Sequence, residues 1–212
     1  MGTITNIGRR VELVAMDGHC HEISIGLYFQ QRADGPAGLV HTYSSAPEAA
    51  DRISFLAETM RSLGALEGDG DLVRFPCGTW HAAAARRLFV EACKLDPSAA
   101  LARYPLEVED AKAGQVIRVE PLRTGRYRVV AERVAEGATS RAPAVAAGLA
   151  KLAELTPAAD DATVVAFPCG AGHDALVGLL LPRALNVRQA LREQETLSSR
   201  GVLSAPSASQ EG

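Results

Sequence analysis

The stretch Leu72-Val73-Arg74-Phe75-Pro76-Cys77-Gly78-Thr79-Trp80-His81 returns 92 residues later as Val164-Val165-Ala166-Phe167-Pro168-Cys169-Gly170-Ala171-Gly172-His173. Valine, phenylalanine, proline, cysteine, glycine and histidine keep their places while the residues between them change. Chance does not give that agreement at one offset, so an internal repeat organises the chain. In each copy apolar residues run into Phe-Pro-Cys-Gly, the pattern of a buried strand that ends in a tight turn. Helical spacing follows, with Leu88, Phe89, Ala92 and Leu95 in the first copy and Leu176, Leu179 and Leu180 in the second. Pro182 is placed to kink or end the second of these helices.

Upstream, Ala46-Pro47 and Ala142-Pro143 each open an alanine-rich stretch. Ile53, Leu56, Met60 and Leu63 fall on one helical face, and Leu149, Leu152 and Leu155 on another, with a proline in each first turn. Ahead of each helix lies a hairpin pattern. Val11 to Met16 and His19 to Phe29 flank Asp17-Gly18, a strong hairpin signal, and Val116 to Leu122 and Tyr127 to Val134 flank a turn near Gly125. Leu39 to Tyr43 adds a strand in the first copy only. The expected architecture is α/β: an internal duplication of a β-β-α-β-α unit, its two halves packed with pseudo-twofold symmetry. The first repeat takes residues 1–100, a linker 101–114 and the second repeat 115–197. The Ser, Ala and Pro content of residues 198–212 reads as a disordered tail.

A chain of 212 residues with 47% hydrophobic residues can bury a substantial core. The formal charge of −3, with no long like-charge run, gives no electrostatic reason to expect nucleic acid or an anionic membrane surface. Aromatic residues at 5% are too few for a stacking platform. The run from Ala175 to Leu181 stops at Pro182, far short of the ~20 residues of a spanning helix. Arg9 and Arg10 are reached with no apolar stretch behind them. These features predict a soluble, cytoplasmic protein without a signal peptide, whose partner is a small-molecule substrate or ligand. Cys20, Cys77, Cys93 and Cys169 are then reduced and available as thiols.

The chemistry lies in Cys-x-x-x-His, present in both copies. A cysteine between a strand and a helix, serving as the helix N-cap, sits where the dipole favours negative charge, which lowers a thiol pKa. Histidine four residues on is close enough for a thiolate–imidazolium pair or for two ligands to one metal. Against this stands a packing role, since Pro-Cys-Gly also makes a plain turn with a small buried cysteine. Cys77, His81, Cys169 and His173 are the candidate metal ligands. They either meet across the dyad as one Cys2His2 site or form two open sites completed by water and a third side chain. His19 and His21 share one face of a strand, as a metal pair or as a solvated hairpin tip. Cys93 reads as core, and His41 as a lone histidine.

The order of elements, with Pro-Cys-Gly opening the last helix, resembles the cytidine-deaminase-like fold. That family carries His-x-Glu or Cys-x-Glu at one helix start and Pro-Cys-x-x-Cys at the next, which hold zinc and supply a general acid/base. The residues that match are Glu48, Pro76, Cys77, Pro168 and Cys169. Ala46 stands where the first ligand belongs, and Trp80 where the second cysteine belongs, with His81 one place later. The resemblance implies a hydrolase acting on a small heterocyclic or amide substrate. Cys77 and His81 would bind zinc, joined by His41 or a residue of the other half, and Glu48 would move protons. A metal-free variant uses Cys77 or Cys169 as a nucleophile activated by His81 or His173. The lost ligand positions favour the alternative, a non-catalytic small-molecule-binding or assembly module that retains the duplicated fold.

Overall fold

The computed structural model describes residues 5–6, 11–16, 22–42, 47–95 and 104–192, without the side chains of residues before Ile25 or of Glu48. His19, His21, Cys20 and the 198–212 tail lie outside the described residues. The chain folds as a mixed α/β protein with two antiparallel sheets. Strands β1 (Thr5–Asn6), β2 (Val11–Met16), β3 (Glu22–Arg32) and β4 (Gly35–Thr42) precede helix α1 (Pro47–Gly64). The short strand β5 (Leu72–Val73) then pairs with β4, and α2 (Ala82–Cys93) closes the first half. In the second half β6 (Glu107–Asp110), β7 (Gln115–Pro121) and β8 (Arg126–Glu132) lead into α3 (Ala142–Ala153). Next come β9 (Thr156–Pro157), β10 (Val164–Ala166) and α4 (Asp174–Ala184), and residues 187–192 are helical again. Among the described residues no helix is long and apolar enough to cross a membrane.

The hairpin anticipated around Asp17-Gly18 is present as β2 against β3, with Val11 opposite Leu27 and Met16 opposite Glu22. Three features differ from the sequence expectation. Where two strands were expected before each helix, three antiparallel strands run in each half, β2 to β4 and β6 to β8, with the two-residue β1 beside β3 as an addition in the first, so the strand at β4 is no peculiarity of the first half. The segment expected to be a linker, 101–114, carries β6, which pairs with β7 from Glu107 opposite Arg118 to Asp110 opposite Gln115. Its sequence Glu-Val-Glu-Asp is acidic and short, which suits an exposed sheet edge and hides it from a search for apolar alternation. Pro182, expected to kink or end this helix, lies in the last turn of α4, which stops at Ala184.

The third difference concerns register. Ala46-Pro47 and Ala142-Pro143 mark helix starts, because proline suits the first turn of any helix, but they are not corresponding positions. The helix ends correspond instead: Ala65 (φ 50°) and Glu154 (φ 55°) are both left-handed, and Leu66 N–H donates to the Arg61 carbonyl as Leu155 N–H does to that of Ala150. On that register Arg52 stands opposite Arg141. Each reaches a carbonyl at the end of the far helix of its own half, Arg52 that of Cys93, the last residue of α2, at 3.4 Å and Arg141 that of Leu185, just past α4, at 3.3 Å. Helix α1, with 18 residues against 12, is simply longer at its start than α3, by about one and two-thirds turns.

One continuous core joins the halves. Helix α1 covers β3 to β5, α3 covers β8 to β10, and the halves meet through their helices, α2 on α3 and α1 on α4. Leu56, Met60 and Leu88 of the first half and Leu149, Leu176 and Leu179 of the second are fully buried there. At ~1.5–3 kcal/mol for each fully buried large apolar side chain, this interior is the main stabilising term. A charged knot sits across the same boundary. Arg183 of α4 forks onto Glu91 of α2 at 3.0 and 2.7 Å, and fully buried Arg87 approaches Glu91 at 3.2 Å while donating to the Ala190 carbonyl at 2.7 Å.

Candidate metal centre

Each Phe-Pro-Cys-Gly forms the same turn. Gly78 N–H donates to the Phe75 carbonyl and Gly170 N–H to that of Phe167, both at 3.0 Å. The chain then reverses through the glycine at φ 71° and 73°, a conformation that strains any residue with a Cβ. That reversal brings the second N–H after each cysteine onto its sulfur: Thr79 to Cys77 and Ala171 to Cys169, each at 3.4 Å. The cysteines are therefore not helix N-caps. His81 and His173 occupy the N-cap positions of α2 and α4, so each cysteine lies four residues outside its helix, in the turn.

From these positions the four side chains converge. Cys77 Sγ lies 3.3 Å from His81 Nε2, and Cys169 Sγ 3.4 Å from His173 Nε2. One ligand atom from each of the four residues falls within 4.8 Å of every other. The cluster can hold a metal ion, and its donor set of two sulfurs and two imidazole nitrogens is that of a tetrahedral Cys2His2 centre. An ion at ~2.3 Å from sulfur and ~2.0 Å from nitrogen needs S···N edges of roughly 3.5 Å, close to the two observed. The expectation that the four residues meet between the halves is met by the geometry.

Behind the donors stand residues that the sequence reading did not single out. The Phe75 ring lies edge-on to both imidazoles, 4.8 Å from His81 and 5.7 Å from His173, and Phe167 does the same at 5.3 and 4.6 Å. The imidazoles themselves meet at 4.9 Å. Four interlocked rings thus set the direction of both nitrogens. The signal was in the repeat, where phenylalanine is as constant as cysteine. Tyr127 adds a support in the second half only: its hydroxyl accepts the backbone N–H of His173 and donates to Asp174 at 2.8 Å.

Burial governs the electrostatics. It pushes the Cys77 thiol above its ordinary value, as does the neighbouring Cys169, and together these outweigh the Thr79 N–H that favours the thiolate. Burial, then the facing His173, brings His81 down to about 4, and burial also lowers His173. Both imidazoles are neutral at pH 7, so the expected thiolate–imidazolium pairs do not form. Neutral imidazole is the metal-binding form, and a dication supplies the positive charge that two thiolates need. Burial takes the Cys93 thiol, at the end of α2, up to about 12, in keeping with its reading as core.

The remaining candidates stand apart. His41 lies on β4 with its ring edge-on to Tyr28 at 6.0 Å, and is no member of the cluster. Glu48 is the second residue of α1, and its side chain lies outside the described residues. Comparison of the chain with protein-family models, with curated proteins and with solved structures gives no match in any of the three.

Proposed function

We propose that the chain is a duplicated unit whose halves are held by one zinc ion bound to Cys77, His81, Cys169 and His173, and that it works as a metal-stapled binding or assembly module rather than as a catalyst. The observation that carries this reading is the source of the four donors, two from each half within 4.8 Å. Four protein ligands complete a tetrahedron, whereas a catalytic zinc keeps one position for water or substrate. Contacts between the halves support the duplication. Positions 92 residues apart touch each other directly, His81 with His173 and Glu91 with Arg183, as residues on a twofold axis do. Phe75 on His173 is returned by Phe167 on His81. Two thiolates cancel the charge of the ion, which lets it sit among buried rings.

Elemental analysis of protein purified without an affinity tag tests the reading. The expected result is one zinc per chain, with a melting temperature that falls by more than ~10 °C when a chelator removes it, since structural zinc contributes several kcal/mol and each is worth ~2–4 °C in a chain of this size. No metal above background overturns it. The partial exposure of both sulfurs favours a second reading, a metal- or thiol-dependent hydrolase of deaminase-like fold, in which Cys77 or Cys169 is the attacking group and Glu48 the proton carrier. Hydrolysis of small amide or heterocyclic substrates that is lost in Cys77→Ala, and retained after the metal is removed, selects the thiol form.

A further inference from the structure

We infer that Cys77 and Cys169 are partners in a disulfide that replaces the metal ion when the protein meets a hydroperoxide, so that the two halves stay tied while the ion is released. This rests on the proposed metal centre for the identity of what leaves, and on the position of the two sulfurs for the bond itself. The sulfurs come from opposite halves and lie within 4.8 Å of each other. A disulfide needs them at about 2.05 Å, and each is carried by the turn between a strand and a helix rather than by a strand or helix itself. Both cysteines are partly exposed, whereas His81 and His173 are buried behind them. Pro76, Gly78 and Thr79 on one side, and Pro168, Gly170 and Gly172 on the other, are exposed around the sulfurs, so a small oxidant reaches sulfur before it reaches nitrogen. Among the described residues the third cysteine, Cys93, lies at the far end of α2 and outside the cluster.

The chemistry balances with the hydroperoxide as the only co-reactant. One sulfur attacks the outer peroxide oxygen, the O–O bond breaks, and the departing alkoxide takes a proton to leave as alcohol, or as water from hydrogen peroxide. The sulfenic acid so formed is attacked by the second sulfur. The S–O bond breaks and hydroxide leaves as water with a second proton. The two sulfurs together give up two electrons, which reduce the peroxide. A centre that has lost both thiolates keeps only two imidazoles, and the dication leaves.

The test treats the reduced, zinc-loaded chain with hydrogen peroxide and follows three readouts: zinc captured by a colorimetric chelator, peptide mapping without reduction, and thermal melting. The expected result is one zinc released per Cys77–Cys169 cross-link, reversal by dithiothreitol and added zinc, and an oxidised protein that melts above the reduced, chelator-treated one. Sulfinic or sulfonic acid at either cysteine without the cross-link overturns the inference, as does release of zinc with both thiols intact, or no reaction at all. If the reduced protein carries no zinc, the proposed metal centre fails on that finding alone. Peptide mapping of the same peroxide-treated chain still decides the disulfide.

Discussion

In the first half the cysteine turn leans on Trp80, whose indole lies over Gly38 and against Phe29 and Phe75 at 5.7 and 5.6 Å. In the second half the arrangement is reversed: Gly172 stands where Trp80 does, and Tyr127 rises from the strand position that Gly38 holds, each of the two facing a valine, Val73 or Val165. One large ring fills each space, delivered from the turn in one half and from the sheet in the other. The sulfur-to-nitrogen spacings nevertheless agree, 3.3 against 3.4 Å. The walls differ between the halves while the four candidate donors match, and either ring serves because packing asks only for filled volume.

The largest effects should come from the donors and should be equal in the two halves. Cys77→Ala and Cys169→Ala are each expected to weaken zinc binding by more than the ~10–100-fold that changes around a ligand cost, as read by competition with a chromophoric chelator. A loss confined to one half would break the comparison, because it would mean that one pair suffices.

Next is the charged knot, in which the halves differ by sign. Glu91→Ala leaves Arg87 buried without its carboxylate and is expected to cost ~3–5 kcal/mol in urea unfolding. Burial pushes Glu91 up, but Arg183, Lys94 and Arg87 outweigh it and hold the carboxyl below its ordinary value. A depressed folded-state pKa contributes stability above the unfolded value near 4.5 that is lost as pH falls through the folded value. The wild type should therefore lose stability below about pH 4.5 more steeply than Glu91→Gln. Equal slopes would remove Glu91 from the account.

The smallest effects separate the walls. Adding a Cβ at Gly38 brings it to 2.3 Å from the Trp80 ring, so Gly38→Ala should cost ~1–3 kcal/mol. At Gly172 the nearest neighbour is the Tyr127 hydroxyl at 3.4 Å, an ordinary contact, and Gly172→Ala should cost under ~1 kcal/mol. Tyr127→Phe removes the acceptor of the His173 N–H and should cost ~1 kcal/mol, with weaker zinc binding. A reversed order of Gly38 and Gly172 would contradict the exchange of rings described above.

Much of this was legible in the sequence because the repeat itself lies at the site. Phe-Pro-Cys-Gly with histidine four places after cysteine names the donors, their turn and their doubling. The turn at Asp17-Gly18 and the helical spacing of Leu56, Met60 and Leu63 placed β2, β3 and α1. Other features depend on the folded partner. Strand β6 was hidden by its acidic edge sequence. The N-cap fell on His81 and His173 instead of the cysteines, because the glycine reversal at φ 71° and 73° lengthens the turn before the helix begins. The expected thiolate–imidazolium pair failed for a reason that no spacing contains: the two histidines face each other in a buried ring cluster, where neither carries charge. The exchange of Trp80 for Tyr127 is visible only once Gly38 and Gly172 are known to lie beneath them.

X-ray absorption at the zinc edge, on the reduced chain loaded with one equivalent, tests the central claim most directly. One ion shared by both halves predicts a four-coordinate first shell of two sulfurs at ~2.3 Å and two imidazole nitrogens at ~2.0 Å. A shell of one sulfur, one nitrogen and light oxygen scatterers would mean that each half binds alone with water completing the site, and would contradict the account.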